Sequence, residues 1–273
     1  MTFIDPPRLP TIDLSLFDVG DPWRDHVAAQ VDWAASTFGL FQILGHGVDA
    51  GLIDTLLELS GKYVTQAQAV TRRVPGEALL ADLPGFRDTV REYTTTMTGL
   101  GHKLMTTLAR GLGLEDGFFV DRYTGNPVTS LRIRDYPAAL PPAIRRPRGE
   151  ETEDRSLLTI VKLGESEGQQ VRFDGRWIDV PVLPSGLLCY VGPVLERLTD
   201  GHYISATHRL SQGNVSDQPS LSFVFEPDLE AVLTPGAVIR ARPGAPIATI
   251  SLRVADSVRL HPGSERPMRP SSG

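Results

Sequence analysis

The spacing of apolar residues changes partway along the chain. Up to about Leu112 they recur mostly at helical spacing; from Leu131 onward they fall into short extended runs. Leu9-Pro10-Thr11-Ile12-Asp13-Leu14 predicts a short strand. Asp21 before Pro22 predicts an N-cap with proline at the first helical position. That helix should run to about Phe38, with Val27, Val31, Ala34 and Ala35 on one face and Gly39 as its stop. Leu40-Phe41-Gln42-Ile43-Leu44 predicts a strand closed by Gly45-His46-Gly47, and a second helix should span about Asp49 to Thr65. Val74 to Leu83 shows no period. Val90, Tyr93, Met97, Leu100, Leu104 and Leu108 then predict a long amphipathic helix from about Pro84 to Leu112, ended by Gly111 and Gly113.

The second half predicts strands at Ser130–Tyr136, Leu157–Lys162, Gln170–Phe173, Trp177–Pro181, Leu187–Val191, Ala206–Leu210 and Leu221–Glu226. Turn signals about every 8 to 12 residues give this half a sandwich or barrel signature. Asp174-Gly175 predicts a hairpin turn. Pro137–Gly149 holds four prolines and three arginines and is expected to be a mobile segment beside the site. Its Arg145, Arg146 and Arg148 are either a solvated run or a lid over an acidic substrate. The Pro/Ser/Gly-rich stretch 262–273 is expected to be a disordered tail. The expected organisation is one domain over 1–261, mainly helical over about 8–125, with a β core over 126–228.

Composition narrows the function. With 41% apolar and 22% charged residues over 273 positions, the chain is of ordinary globular type. A net charge of -6 argues against a general nucleic-acid or anionic-membrane binder. The single cysteine, Cys189, sits in the apolar run Leu187-Leu188-Cys189-Tyr190-Val191, which predicts a buried, inert thiol. It excludes a disulfide framework and fits a reducing cytoplasm. Asp5 and the early prolines argue against a signal peptide, and no apolar run reaches the roughly 18 residues of a membrane span. The expected partner is a small molecule, with no nucleic acid and no membrane; the oligomeric state stays open.

Candidate chemistry lies in two clusters. One is Glu151-Thr152-Glu153-Asp154-Arg155; the other is Ser205-Ala206-Thr207-His208-Arg209. A carboxylate and a distant imidazole are two thirds of the facial triad that holds non-heme Fe(II). The third ligand would be a histidine two residues before Asp154, where Thr152 stands. A neutral hydroxyl is a poor ligand. Even an outer-shell partner is worth about 10–100-fold in metal affinity, so a missing imidazole should cost more. In an extended segment Thr152 and Asp154 share a face and Glu151 and Glu153 take the other. Arg132 and Arg134 alternate with apolar residues; they form either a solvated face or a contact for an anionic substrate group. His46 is expected to cap or fill the core at its strand end, and His202 to be a surface or loop residue. His26, His102 and His261 receive no role.

Several ordered segments carry a resemblance. Gly39-Leu40-Phe41-Gln42-Ile43-Leu44-Gly45-His46-Gly47-Val48, Leu83-Pro84-Gly85-Phe86-Arg87 with Tyr93, and Leu131-Arg132-Ile133-Arg134-Asp135-Tyr136-Pro137 come in sequence. They are followed by Gly175-Arg176-Trp177 with Val180-Pro181, and by Leu195-Glu196-Arg197-Leu198-Thr199-Asp200-Gly201 leading to His208. Over about residues 8–228 the chain resembles the isopenicillin N synthase-like branch of the Fe(II)/2-oxoglutarate oxygenases. The resemblance implies an α+β fold: a double-stranded β-helix (jelly-roll, cupin-like) core with flanking N-terminal helices, one of them a long scaffold helix. It places the triad at Thr152, Asp154 and His208, a cosubstrate tyrosine at Tyr136, and a cosubstrate Arg–Ser pair at Gln218 and Ser220. The usual Gly-Asp after the Cys189 strand is Gly192-Pro193 here. A glutamine offers one neutral amide where an arginine gives two charge-assisted hydrogen bonds, each about twice as strong.

With metal ligand and cosubstrate anchor altered together, the expectation is a degenerate triad. The chain would be a small-molecule biosynthetic enzyme of natural-product type, independent of iron and 2-oxoglutarate and using no cofactor. It would perform cyclisation, isomerisation or elimination, with His208 and Asp154 as a proton-transfer dyad. Thr152, Tyr136, Arg132, Gln218 and Ser220 would contact the substrate. One alternative is an atypical Fe(II)-dependent oxygenase or oxidase, with or without 2-oxoglutarate. There Asp154, His208 and water or a glutamate would hold the metal. A third is a non-catalytic binding protein, which an open pocket near His208 would count against.

Overall fold

The computed structural model describes residues 8–67, 72–73, 84–134, 156–164, 168–210, 220–241 and 252–253. Strand β1 (Thr11–Asp13) is joined to β2 (Leu40–Leu44) by helix α1 (Trp23–Thr37), and the two strands pair in parallel. Helix α2 (Ala50–Ala67) follows, begun by the Asp49 side chain, which accepts from the Leu52 N–H at 2.8 Å. A short strand β3 (Arg72–Arg73) precedes the long helix α3 (Phe86–Gly111). The core strands that follow are β4 (Val128–Arg134), β5 (Leu158–Lys162), β6 (Gln169–Phe173), β7 (Arg176–Val180), β8 (Leu187–Val191), β9 (His208–Leu210) and β10 (Ser220–Glu226), and a separate two-stranded ribbon pairs Val232–Leu233 with Leu252–Arg253.

Seven strands form one sheet in the order β1-β2-β8-β5-β10-β4-β3, and β7-β6-β9 form a smaller one. This is the expected α+β jelly-roll core backed by helices. The N-terminal part is less separate than its helical pattern suggested, because β1, β2 and β3 join the large sheet. The β6–β7 hairpin turns at Asp174-Gly175, both with positive φ (48° and 74°), as an Asp-Gly turn of the primed type requires.

The outer face of the large sheet is apolar and packs on the helices. Leu131, Ile133, Ile160, Cys189, Leu221, Phe223 and Phe225 share one buried cluster with Tyr93, Met97, Leu104 and Leu108 of α3. Helix and sheet come so close at Gly101 that an added Cβ would meet the Phe225 ring at 2.6 Å. Cys189 is fully buried on this face, and burial pushes its thiol far above the ordinary range. The expected inert role holds.

Asp21 does not cap α1. Pro22 holds the cap position with no side-chain hydrogen bond, and Asp21 pairs instead with Arg110 of α3 at 2.7 Å. Arg110 also meets Asp25 at 2.5 Å, and Arg24 meets Asp116 at 3.0 Å, so charged residues tie α1 to the end of α3. Strand β9 begins at His208 rather than Ala206, with the Arg172 N–H donating to the Thr207 carbonyl at 2.9 Å one step beyond it. Among the described residues no helix is long and apolar enough to cross a membrane. The predicted loop 137–149 and tail 262–273 lie outside the described residues.

Candidate active site

Strand alternation builds the site. In β10, Leu221, Phe223 and Phe225 face the helices, so Ser220, Ser222 and Val224 face the interior between the sheets. The cross-strand register continues that interior row. Ser222 lies opposite Arg132 of β4 and Val161 of β5, Val161 opposite Leu188 of β8, and Leu188 opposite Gln42 of β2. The next row on the same face is Val224, Thr159, Tyr190 and Leu40. Leu40, Val161, Leu188 and Tyr190 pack against Val171, Val180 and Ala206 of the small-sheet side. The interior is thus aliphatic at its centre, with polar groups placed at chosen points.

His208 is one of those groups. Strand β9 pairs with β6, His208 opposite Val171, and the side chain is only 4% exposed. Its ring stacks on Tyr190, with centroids 4.2 Å apart and planes at 24°. Its Nδ1 lies 3.2 Å from the Ala206 carbonyl oxygen. A carbonyl only accepts, so Nδ1 carries a proton and donates. Metal-binding imidazoles are oriented by this kind of backbone acceptor. A buried imidazole with its tautomer fixed is a donor that Fe(II) sites use, so this part of the donor set fits the metal.

The segment leading to Asp154 is held at its downstream end. The Gly192 N–H donates to the Leu157 carbonyl at 3.0 Å and the Val194 N–H to the Ser156 carbonyl at 3.3 Å. Ser156 Oγ lies 2.9 Å from Thr159 Oγ1. A Cβ at Gly192 would sit 1.8 Å from the Ser156 carbonyl oxygen, so only glycine permits this approach. Pro193 starts the short helix α4 (Pro193–Leu198), where its missing N–H costs nothing.

Of the expected site residues, Arg132 and Ser220 lie on the neighbouring strands β4 and β10 of the large sheet, and His208 is buried on the small sheet against Tyr190. Thr152, Asp154, Tyr136 and Gln218 lie outside the described residues, as do Glu151 and Glu153. Among the described residues no three His, Cys, Asp or Glu side chains cluster as a metal site. The sequence reading missed Tyr190, Gln42 and Ser222. Ser222 shares the period-two alternation of Ser220, and that signal was available. Its hydroxyl is 1% exposed and has no hydrogen-bond partner among the described residues. An orphaned buried hydroxyl costs about 1–3 kcal/mol, which fits a face that receives a polar ligand.

His46 caps its strand end, as expected. Its Nδ1 accepts from the Val48 N–H at 3.1 Å and its Nε2 donates to the Ser185 carbonyl at 3.2 Å. His202, expected at the surface, is half-buried and meets Asp32 of α1 at 3.0 Å, where Tyr203 also donates at 3.0 Å. A cleft of about 500 Å³, lined in part by Phe38, Phe173, Ile204 and Thr207, opens beside the start of β9.

Comparison with known proteins extends these observations. Residues 127–227 match the family model of the 2OG-Fe(II) oxygenase superfamily. Residues 9–95 match that of the non-haem dioxygenase in morphine synthesis N-terminal region. The chain is 24% identical to 1-aminocyclopropane-1-carboxylate oxidase 1 of Oryza sativa subsp. japonica, covering 87% of this chain and 85% of that one. Among solved structures, the dioxygenase for auxin oxidation in rice superposes with a TM-score of 0.71 at 20% identity, over 93% of this chain and 95% of that one. JOX2 in complex with 2OG, Fe and JA gives 0.72 at 22%, over 92% and 84%.

These findings overturn three expectations. Independence from iron and 2-oxoglutarate does not stand, because the chain carries both matched parts of an oxygenase family defined by those cofactors, in order. The non-oxidative cyclase or isomerase with an Asp154–His208 proton-transfer dyad goes with it, as does the degenerate, metal-free triad. The error was to infer lost chemistry from two altered positions, Thr152 and Gln218. Metal affinity depends on all the donors that remain, and the imidazole of His208 is oriented by the Ala206 carbonyl.

Proposed function

This chain belongs to the 2OG-Fe(II) oxygenase superfamily, and on that footing we propose that it is an Fe(II)-dependent oxygenase or oxidase of a small organic molecule, with 2-oxoglutarate as cosubstrate. The observation that carries the proposal is His208, buried between the sheets, stacked on Tyr190 and oriented by the contact of its Nδ1 with the Ala206 carbonyl. His208 and Asp154 would hold the metal, with water or one of Glu151 and Glu153 in the position that Thr152 cannot serve. When bound, the Fe(II) centre supplies activation of dioxygen for oxidation of the substrate.

The chain's own residues set the conditions for that chemistry. The Ala206 carbonyl fixes the imidazole tautomer, and the Tyr190 ring limits its rotation. Leu40, Val161, Leu188, Val171 and Val180 keep the interior dry, which strengthens polar contacts made there. Gly192 and Val194 tether Ser156, and through it the short segment to Asp154. Ser220, with Tyr136 and Gln218, would contact the cosubstrate or substrate. We place the enzyme in a reducing cytoplasm on the strength of its single buried thiol.

The test is anaerobic reconstitution with Fe(II), removal of excess metal, and elemental analysis, followed by oxygen uptake with 2-oxoglutarate. Stoichiometric iron and 2-oxoglutarate-dependent oxygen consumption are expected. A folded protein that remains iron-free after reconstitution contradicts the proposal.

A further inference from the structure

The chain is gripped by three helices just before it enters β9 with His208. Tyr203 is fully buried, and its hydroxyl meets Asp32 of α1 at 3.0 Å and the Leu108 carbonyl of α3 at 3.1 Å. The Ile204 N–H donates to the Ala35 carbonyl of α1 at 3.2 Å. The Ser205 hydroxyl then donates to the Glu196 carboxylate of α4. The same run lies against Gly39, where a Cβ would sit 2.4 Å from the Ile204 carbonyl oxygen and 2.9 Å from the Ala206 nitrogen. Among the described residues, the Ser205–Glu196 bond is the last side-chain hydrogen bond before His208. One residue on, the Ala206 carbonyl lies 3.2 Å from His208 Nδ1.

Helix α4 also holds the segment that follows Asp154. Its Val194 N–H donates to the Ser156 carbonyl at 3.3 Å, and the Gly192 N–H donates to the Leu157 carbonyl at 3.0 Å. Those ties use backbone groups. The tie to the His208 segment differs, because it depends on one side chain, Glu196. A hydroxyl donating to a carboxylate makes a charge-assisted bond, about twice as strong as a neutral one. A ligand is presented accurately only when the groups behind it are themselves locked by hydrogen bonds.

We propose that Glu196 is a positioning residue for His208. It acts through Ser205: by holding that residue it fixes the run that carries the Ala206 carbonyl, and so the direction in which the imidazole is presented. The role as a metal ligand that this positioning serves rests on the oxygenase reading above.

The test compares wild type with Glu196→Ala, Glu196→Gln, Ser205→Ala and the double variant Glu196→Ala/Ser205→Ala. Three quantities are measured beside the unfolding midpoint: solvent exchange of the His208 Nδ1 proton by NMR of the metal-free protein, the ligand-field absorption of Co(II)-loaded protein, and Co(II) affinity. Glu196→Ala is expected to speed the proton exchange, alter the Co(II) bands and weaken Co(II) binding by about 2- to 30-fold, with the midpoint kept. Glu196→Gln, whose amide oxygen still accepts from Ser205, should recover most of the wild-type spectrum. Ser205→Ala should reproduce the changes of Glu196→Ala, and the double variant should add nothing to them. The proposal is overturned if Glu196→Ala leaves the proton exchange and the Co(II) spectrum as in wild type. It is overturned equally if the two single variants simply add, or if affinity falls only in step with stability. Should Glu196→Ala not fold, Ser205→Ala decides the matter on the same three measurements. A wild type that binds no Co(II) would sink the oxygenase reading, while the proton exchange, read without metal, would still judge the positioning role.

Discussion

His46 is poised against protonation by its own hydrogen bonds. Its Nδ1 must remain an acceptor for the Val48 N–H while Nε2 donates to Ser185. Burial lowers its pKa below the ordinary 6.5; the Ser185 bond works the other way, and nearby Lys162 adds to the lowering. A lowered histidine pKa means that the folded chain takes up a proton less readily than the unfolded one. The contribution to stability is therefore present above the ordinary pKa and is lost as pH falls from there toward the folded value. Thermal unfolding midpoints should decline over that window in wild type and decline less in His46→Asn; parallel slopes would contradict this. Gly192 gives a second prediction at this scale. Its Cβ would lie 1.8 Å from the Ser156 carbonyl oxygen, which is backbone and cannot rotate away. Gly192→Ala should destabilise by at least the 1–3 kcal/mol typical of overpacking, about 2 kcal/mol or more, and should weaken iron retention through the tethered segment; an unchanged denaturation midpoint would count against it. His208 was legible from its place in a motif. Ser222 was signalled by its alternation with Ser220, whereas Tyr190 was not, because a tyrosine in a buried strand reads as packing until the facing sheet is known.

The elements were more legible than the residues that line them. Helix α3 was predicted from one apolar stripe and runs Phe86–Gly111. Strands β5 to β8 and β10 fall within a residue or two of their predicted bounds. Elements fixed by long-range pairing were harder: β3 has two residues and no period of its own, and forms because β4 offers an edge. The failed N-cap at Asp21 has the same cause, since Arg110 lies far away in sequence and supplies a stronger partner. The fit of α3 on the sheet turns on Gly101, where a side chain would strike the Phe225 ring at 2.6 Å. Gly101→Val should lower stability by about 1–3 kcal/mol in denaturant unfolding. It should leave the metal affinity of the surviving folded protein near wild type, because the contact is on the outer face. A loss of metal affinity without loss of stability would show that α3 acts on the site directly.

Across the whole molecule, two sheets enclose an interior that is apolar in its middle and polar where chemistry is needed. Order and type of elements were enough to identify the scaffold, and the family matches agree. The cofactor requirement was misjudged, because sequence spacing showed a missing imidazole at Thr152 and could not show how firmly the remaining one is held. The central claim is that His208 is a ligand for Fe(II) in this interior. The most direct test is anaerobic equilibrium dialysis of Fe(II) against wild type and His208→Ala. Tight, saturable binding by wild type is predicted, weakened in His208→Ala by more than the roughly 10–100-fold that outer-shell changes cause, with the unfolding midpoint of the variant retained. Equal Fe(II) binding by the two folded proteins, or none by either, would contradict the account.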